Sequence, residues 1–276
     1  MEGNGFQRAI YLTGPTASGK TAAGVALARR LGAEIVAMDS MTIYQGMDIG
    51  TAKPGMAERG GIPHHLIDVI EPWESASVAD YRRWARDTVG AIERRGHPAL
   101  FVGGTALYLK ALLRGLFEGP GTDPELRRRL EQDAQTHGDP ALHQRLAALD
   151  PATAARLHPH DRRRIVRALE VIELTGRPLS VLQSQHGRPA PAGVQVYALE
   201  PPRACLSDRI NRRVRGFLDA GLVEEVRALQ TGPRPLSPVA AQAIGYREVL
   251  AMLAGQATLD QTIDRIQTRT RRFAKR

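Results

Sequence analysis

The sequence predicts an α/β fold, a P-loop-type parallel sheet covered by helices and interrupted by an all-helical insertion. Three observations carry this. Short apolar stretches alternate with longer amphipathic ones, the pattern of strands joined by helical crossovers. A glycine-rich segment, Gly14 to Thr21, lies between the first apolar stretch and the first amphipathic one. After Gly119-Pro120-Gly121 the texture turns helical and Arg-rich, and the strand pattern returns only at Val194–Leu199.

Taken in order, Ala9–Thr13 is a short strand, the glycine-rich segment follows it, and a helix runs to Leu31 and stops at Gly32. Glu34–Met38 is a second buried strand ending at Asp39-Ser40. Residues 45–75 are rich in Gly, Pro and His and read as loops. Asp80–Arg95 is amphipathic, with Tyr81, Trp84, Ala85, Thr88 and Ile92 on one helical face. Pro98–Val102 is the third strand, followed by Gly103-Gly104-Thr105 and a helix to about Arg114. Thr122-Asp123-Pro124-Glu125 has the form of a capping box and opens the helical stretch. That stretch runs to about Gln185 with breaks at Asp139-Pro140, Asp150-Pro151 and Gly176-Arg177-Pro178. The expected domains are therefore residues 1–121 with 194–276 as the core, and 122–193 as the insertion.

Composition narrows the class. The 276 residues carry 38 Lys and Arg against 29 Asp and Glu, and 42% are hydrophobic, a globular balance. The charge is uneven: residues 1–121 hold 13 basic against 12 acidic side chains, residues 122–276 hold 25 against 17, and only four of the basic residues are Lys. A basic half joined to a near-neutral one suggests a polyanionic partner, most simply nucleic acid, although a solvated basic surface gives the same count. The single cysteine, Cys205, excludes an internal disulfide framework and a Cys-based zinc site and fits a reducing compartment. No apolar run approaches the length of a membrane span, and Met1–Arg8 lacks the apolar core of a signal peptide. A soluble cytoplasmic protein without membrane contact is expected.

Gly14-Pro15-Thr16-Ala17-Ser18-Gly19-Lys20-Thr21 matches G-x-x-x-x-G-K-[ST] in the strand-to-helix setting that a phosphate loop needs. Its amides and the helix N-terminus cradle an anion, Lys20 adds a point charge, and the Thr21 hydroxyl suits Mg²⁺. The ligand is a di- or triphosphate. The third strand ends without the acid of an ordinary ATPase. The acid is Asp39, on the second strand, and parallel strands deliver their C-terminal ends to one crevice. This leaves a kinase using ATP, or a transferase whose leaving group is diphosphate. A third possibility is a basic RNA-binding protein with the loop as a nucleotide switch.

The blocks Gly14–Thr21, Asp39-Ser40, Tyr44–Pro54, Pro63–Asp68 and Gly103-Gly104-Thr105 closely resemble the bacterial tRNA dimethylallyltransferases. His158-Pro159, Asp161, Arg164, Arg167–Glu170, Gly245-Tyr246-Arg247 and Ala274-Lys275-Arg276 continue the likeness in order. The resemblance implies transfer of a dimethylallyl group from dimethylallyl diphosphate to the N6 amine of the adenosine 3′ to the anticodon. The tRNAs concerned read codons that begin with U. It implies Mg²⁺ as cofactor, a monomeric enzyme, and a flipped target base that meets the prenyl diphosphate in a channel. Asp39 is then the acceptor of the amine's proton or a magnesium ligand. Lys20 and Arg213 stabilise the departing diphosphate, and Ser40, Met41, Thr42 and Thr105 line the base side. Arg127, Arg163, Arg164, Ile165, Val166 and Arg167, with Gly245, Tyr246 and Arg247, are implied as tRNA contacts. Charge runs are usually solvated, so Arg128, Arg129 and Arg212 are read as surface. Tyr246 fits packing as well as RNA contact. A relative that prenylates free AMP would not need the Arg-rich insertion. Two departures stand out. Met41-Thr42-Ile43-Tyr44 replaces the common Met-Gln-Val-Tyr. Relatives also continue past the closing Lys-Arg into further basic sequence, so a reduced tRNA affinity is expected here.

Overall fold

The structure, a computed structural model, describes residues 5–115, 119–183 and 191–275. The end of the helical stretch expected to reach Gln185, and the closing Arg276, lie outside the described residues. The chain divides into two compact units, residues 1–113 with 191–276, and residues 114–190. The sequence reading set these boundaries at 121/122 and 193/194.

The first unit is built on a five-stranded, all-parallel sheet. Its strands are β1 (Ile10–Thr13), β2 (Glu34–Ala37), β3 (His64–His65), β4 (Ala99–Val102) and β5 (Gln195–Ala198), in the order β3-β2-β4-β1-β5. The two-residue β3 lies within a stretch that the sequence assigns to loops. It pairs Ile35 with His64 and Val36 with His65, and two residues are too few to show a period-2 pattern. The central strands are apolar on both sides, as a doubly covered parallel sheet requires. On one face Tyr11, Val36 and Phe101 are fully buried, with Tyr11 stacked on Phe101 at 5.0 Å. That face is covered by α4 (Val78–Arg94). The Ser77–Asp80 capping box starts this helix, and Tyr81, Ala85, Val89 and Ile92 are its buried stripe. The other face packs Leu12, Ile35 and Leu100 against Val25 and Ala28 of α2 (Lys20–Leu31). Each such aliphatic side chain contributes about 1.5–3 kcal/mol on burial.

Three further helices belong to this part of the fold: α1 (Gly5–Arg8), α3 (Met56–Arg59) and α5 (Ala106–Arg114). After β5 come α11 (Arg203–Asp219), α12 (Leu222–Gln230), α13 (Pro238–Ala241), α14 (Tyr246–Leu253) and α15 (Leu259–Ala274). Their apolar stripes, including Ile210, Val214, Leu222, Val226, Val249 and Ile266, form a separate core around Ile43, Tyr44 and Met47. No helix among the described residues is long and apolar enough to cross a membrane.

The second unit is helical: α6 (Pro124–His137), α7 (Asp139–Leu149), α8 (Pro151–Ala154), α9 (Arg162–Thr175) and α10 (Leu179–Leu182). Asp123 caps α6 through Glu125 N and Leu126 N, and Asp161 caps α9 through Arg164 N. Leu130, Leu146, Ile165, Ala168 and Leu169 meet in its core. Ile165 and Val166 are therefore packing residues, buried to 0% and 3% exposure. This corrects their assignment as tRNA contacts: on α9 they lie on the core stripe, and an RNA could reach them only by unpacking it.

Candidate active site

Strand order brings the site together. β1 and β2 are not neighbours, because β4 lies between them. The loop after β1 carries Lys20 and the end of β2 carries Asp39, so the strand between them must contribute almost no volume. Gly103 and Gly104 meet that condition. A Cβ on Gly103 would fall 2.0 Å from the Met38 carbonyl oxygen, and one on Gly104 would fall 3.8 Å from Lys20 Nζ. At Gly103, the first residue after β4, any side chain, an acid's included, is excluded on steric grounds.

The loop from Gly14 to Thr21 has the form of a nest. Gly14 has φ 142° and its Cβ would strike the Leu199 carbonyl at 2.5 Å, so only glycine fits. Ala17 and Gly19 adopt left-handed φ values of 61° and 95°, and alternation of this kind makes an anion-binding concavity. A left-handed alanine costs on the order of 1–2 kcal/mol, strain of a sort found at functional sites. Lys20 and Thr21 open α2, where backbone N–H groups have no intrahelical acceptor. Ser18 Oγ is buried without a hydrogen-bond partner among the described residues, a position that an anion's oxygen would satisfy.

Three charged side chains are coupled here. Lys20 donates to the Pro15 carbonyl at 2.6 Å. Burial lowers its pKa to about 8, partly opposed by Asp39 and reinforced by Arg213. Burial raises the Asp39 pKa, while N–H donation from Met41 and the charges of Lys20 and Arg213 pull it back down. Arg213, on α11, donates to Thr16 Oγ1 at 3.3 Å and lies over the Phe217 ring at 5.6 Å. Arg213 therefore reaches the loop from a distant helix, while its neighbour Arg212 is exposed. Thr105 accepts from Ser40 N at 3.0 Å, which ties the Asp39-Ser40 turn to the segment after β4. Met41 N donates to Asp39 Oδ1 at 2.9 Å and fixes the carboxylate. Thr42 is buried with its hydroxyl unpartnered among the described residues. Tyr81 supports the turn by donating to the Ala37 carbonyl at 3.0 Å and stacks on Tyr108 at 3.7 Å.

Two clamps escaped the sequence reading. Lys53 Nζ is nearly fully buried and binds the Tyr44 carbonyl at 2.8 Å, Asp68 at 2.5 Å, and Asp48. Glu225, on α12, accepts from Asp48 N and Ile49 N at 3.0 and 2.8 Å and from Tyr246 Oη at 2.5 Å. Together they hold residues 44–53, the continuation of the Asp39–Thr42 segment. Tyr246 is fully buried and Gly245 is buried at the N-cap of α14, its N–H given to Glu248 at 2.8 Å. Both are corrected from tRNA contacts to packing residues. Arg247 is exposed beside Gln242.

In the helical unit, Glu170 has no exposed surface. It binds Arg127 at 3.0 Å, Arg167 at 2.6 Å and Asp123 N at 2.9 Å. Arg167 also donates to the Pro120 carbonyl at 2.9 Å. Arg127 and Arg167 thus neutralise a buried carboxylate. Arg163 is exposed without an ion-pair partner among the described residues, and Arg164 is exposed with a 3.4 Å contact to Asp161. His65 binds Glu34 at 2.6 Å and His64 the Ile62 carbonyl at 2.8 Å. Among the described residues no group of three His, Cys, Asp or Glu could hold a metal ion.

The chain matches a family model described as IPP transferase over residues 42–276, and one described as isopentenyl transferase over residues 8–68. It is 48% identical to the tRNA dimethylallyltransferase of Geobacter metallireducens, over 98% of this chain and 87% of that one. It is 49% identical to that of Thiobacillus denitrificans, over 99% and 88%. Among solved structures, the tRNA isopentenylpyrophosphate transferase of Bacillus halodurans superposes with a TM-score of 0.70 at 40% identity. The match covers 98% of this chain and 84% of that one. A eukaryotic dimethylallyltransferase captured acting on tRNA gives 0.80 at 27% identity, over 97% and 68%. These likenesses do not favour a kinase, and with the loop, Asp39 and Arg213 in one crevice the chain belongs to the tRNA dimethylallyltransferase family.

Proposed function

We propose that this protein transfers the dimethylallyl group of dimethylallyl diphosphate to the N6 amine of the adenosine 3′ to the anticodon, releasing diphosphate. The observation that carries this reading is the coupling of Lys20, Asp39 and Arg213 across the Gly103-Gly104 gap. A diphosphate in the loop faces two cations, and breaking the allylic C–O bond leaves more negative charge on it. Preorganised donors aimed at that developing charge lower the barrier. The attacking amine must shed a proton as the new C–N bond forms. Asp39, held by Met41 N and with its pKa raised by burial, is the group positioned to accept it. Ser40, Met41, Thr42 and Thr105 form the adenine side, and the unpartnered Thr42 hydroxyl suits a base edge.

Mg²⁺ fits this residue set in one way. The protein offers the Thr21 hydroxyl, too little for a protein-only site, and a phosphate-loop hydroxyl ordinarily holds magnesium together with substrate phosphates. When bound it would neutralise diphosphate charge. Arg163, Arg164 and Arg247 are the exposed cations that we assign to RNA phosphates. We further read the enzyme as cytoplasmic, in keeping with its free Cys205, and as a monomer. The test is incubation with unmodified tRNA and dimethylallyl diphosphate, followed by nucleoside mass analysis. One adenosine gaining a single dimethylallyl unit supports the reading. Unchanged tRNA, or phosphorylation of a nucleoside by ATP, overturns it.

A further inference from the structure

A second recess lies in the same unit as the site. It is a cleft of about 230 Å³ whose lining includes Gln45, Glu71, Trp73, Leu229, Pro233 and Arg234. Its walls are tied together by Gln45 N donating to the Ile70 carbonyl at 2.9 Å and Ser237 N to the Pro72 carbonyl at 2.8 Å. The Arg234 guanidinium stands 5.9 Å from the Trp73 ring centre and has no carboxylate partner among the described residues. Gln45 lies six residues beyond Asp39, so the chain itself limits the separation to about 21 Å.

We propose that this cleft takes a second unstacked nucleobase of the RNA loop whose target adenosine enters the Asp39 crevice. The proposal rests on the reading of the protein as a tRNA prenyltransferase and adds a subsite to it. An indole paired with an unneutralised guanidinium is a platform on which a splayed base stacks while the cation meets its phosphate. Leu229 and Pro233 supply an apolar floor. Gln45 Nε2 lies 3.5 Å from the Asp68 carbonyl, which leaves Oε1 as an acceptor, and Glu71, also on the lining, brings a carboxylate. Two acceptors favour a base with an exocyclic amine, adenine or cytosine, over uracil.

The test uses an anticodon stem-loop RNA with an abasic residue placed at each loop position in turn, the target excepted. Affinity is measured for the full protein and for Trp73→Ala, Trp73→Phe and Arg234→Gln. The expected result is one position at which the abasic RNA binds wild type roughly 5–100-fold more weakly. At that position Trp73→Ala should show no further loss, Trp73→Phe should keep the effect, and uracil should bind worse than adenine or cytosine. A Trp84→Phe variant leaves Trp73 as the only indole, and its fluorescence should be quenched by intact RNA and not by that abasic RNA. An unquenched Trp73, or abasic losses identical in wild type and Trp73→Ala, overturns the proposal and is also what a protein-binding cleft would give. Failure of the prenyltransferase reading would show separately, as RNA bound by wild type but never modified.

Discussion

Replacing Lys20 by Met should stabilise the protein while abolishing turnover. Lys20 is held charged in a partly buried site that lowers its pKa from 10.5 to about 8. A shift of this size corresponds to a differential cost of about 3 kcal/mol against the charged form, at 1.36 kcal/mol per unit. Methionine removes that cost and keeps the aliphatic stem. One loss offsets the gain, the bond to the Pro15 carbonyl; the attraction to Asp39 is already contained in the lowered pKa. That bond is worth about 1 kcal/mol, so the net gain at pH 7 is about 2 kcal/mol. For a chain of this length that raises the melting temperature by roughly 4–8 °C. The pH dependence identifies the cause. Between pH 8 and 10.5 the unfolded lysine still holds a proton that the folded one has released, so wild-type stability rises with pH through this window. The variant's advantage is therefore full below pH 8 and gone above 10.5. Thermal melts of both proteins at pH 7, 9 and 11, alongside prenyl-transfer assays, check this. A variant less stable than wild type at pH 7, or a difference that does not vary with pH, would refute the reasoning.

Gly103→Ala should cost about 3 kcal/mol or more and displace Asp39, because its Cβ would lie 2.0 Å from the Met38 carbonyl oxygen; urea unfolding and turnover together measure it. Glu170→Ala should destabilise the helical unit by roughly 1–3 kcal/mol, since Asp123 N loses its acceptor and the half-exposed Arg127 and Arg167 lose the carboxylate that they neutralise. Thermal or chemical melts of the full chain would show the loss. Arg163→Gln should leave stability unchanged and lower the slope of log affinity against log salt by about 0.7–0.9, one phosphate contact, in tRNA binding measured across salt concentrations.

The phosphate loop and Asp39 were legible because both depend on local pattern, a motif in a strand-to-helix setting and an acid at a strand end. Four of the five strands were legible for the same reason, as short apolar runs between turn signals. The partners of charged groups were not. Arg127, Arg163, Arg164 and Arg167 look alike in sequence, and only the buried Glu170, 43 residues from Arg127, separates the two that neutralise it from the two exposed ones. Glu225 sits beside Glu224 on one helix, and nothing local marks it as the residue that clamps a loop 177 positions earlier. Tyr246 illustrates the same limit: its buried ring and its bond to Glu225 come from helix packing, which residue type does not reveal. Ile165 recurs at helical spacing with Ala168, Leu169 and Ile172 along α9, so its place in the core is legible in the sequence, whereas that of Val166 is not.

The central claim is that Asp39 takes the amine's proton within a crevice charged by Lys20 and Arg213. Single-turnover prenyl transfer by Asp39→Asn, with Mg²⁺ titrated, tests it most directly. Asn keeps the shape and the hydrogen-bond acceptor but cannot hold the proton. The account predicts a rate lower by about 10²–10⁴-fold, with substrate affinities nearly unchanged and no recovery at high Mg²⁺. Weakened diphosphate binding with the rate restored by added Mg²⁺ would contradict it and make Asp39 a metal ligand.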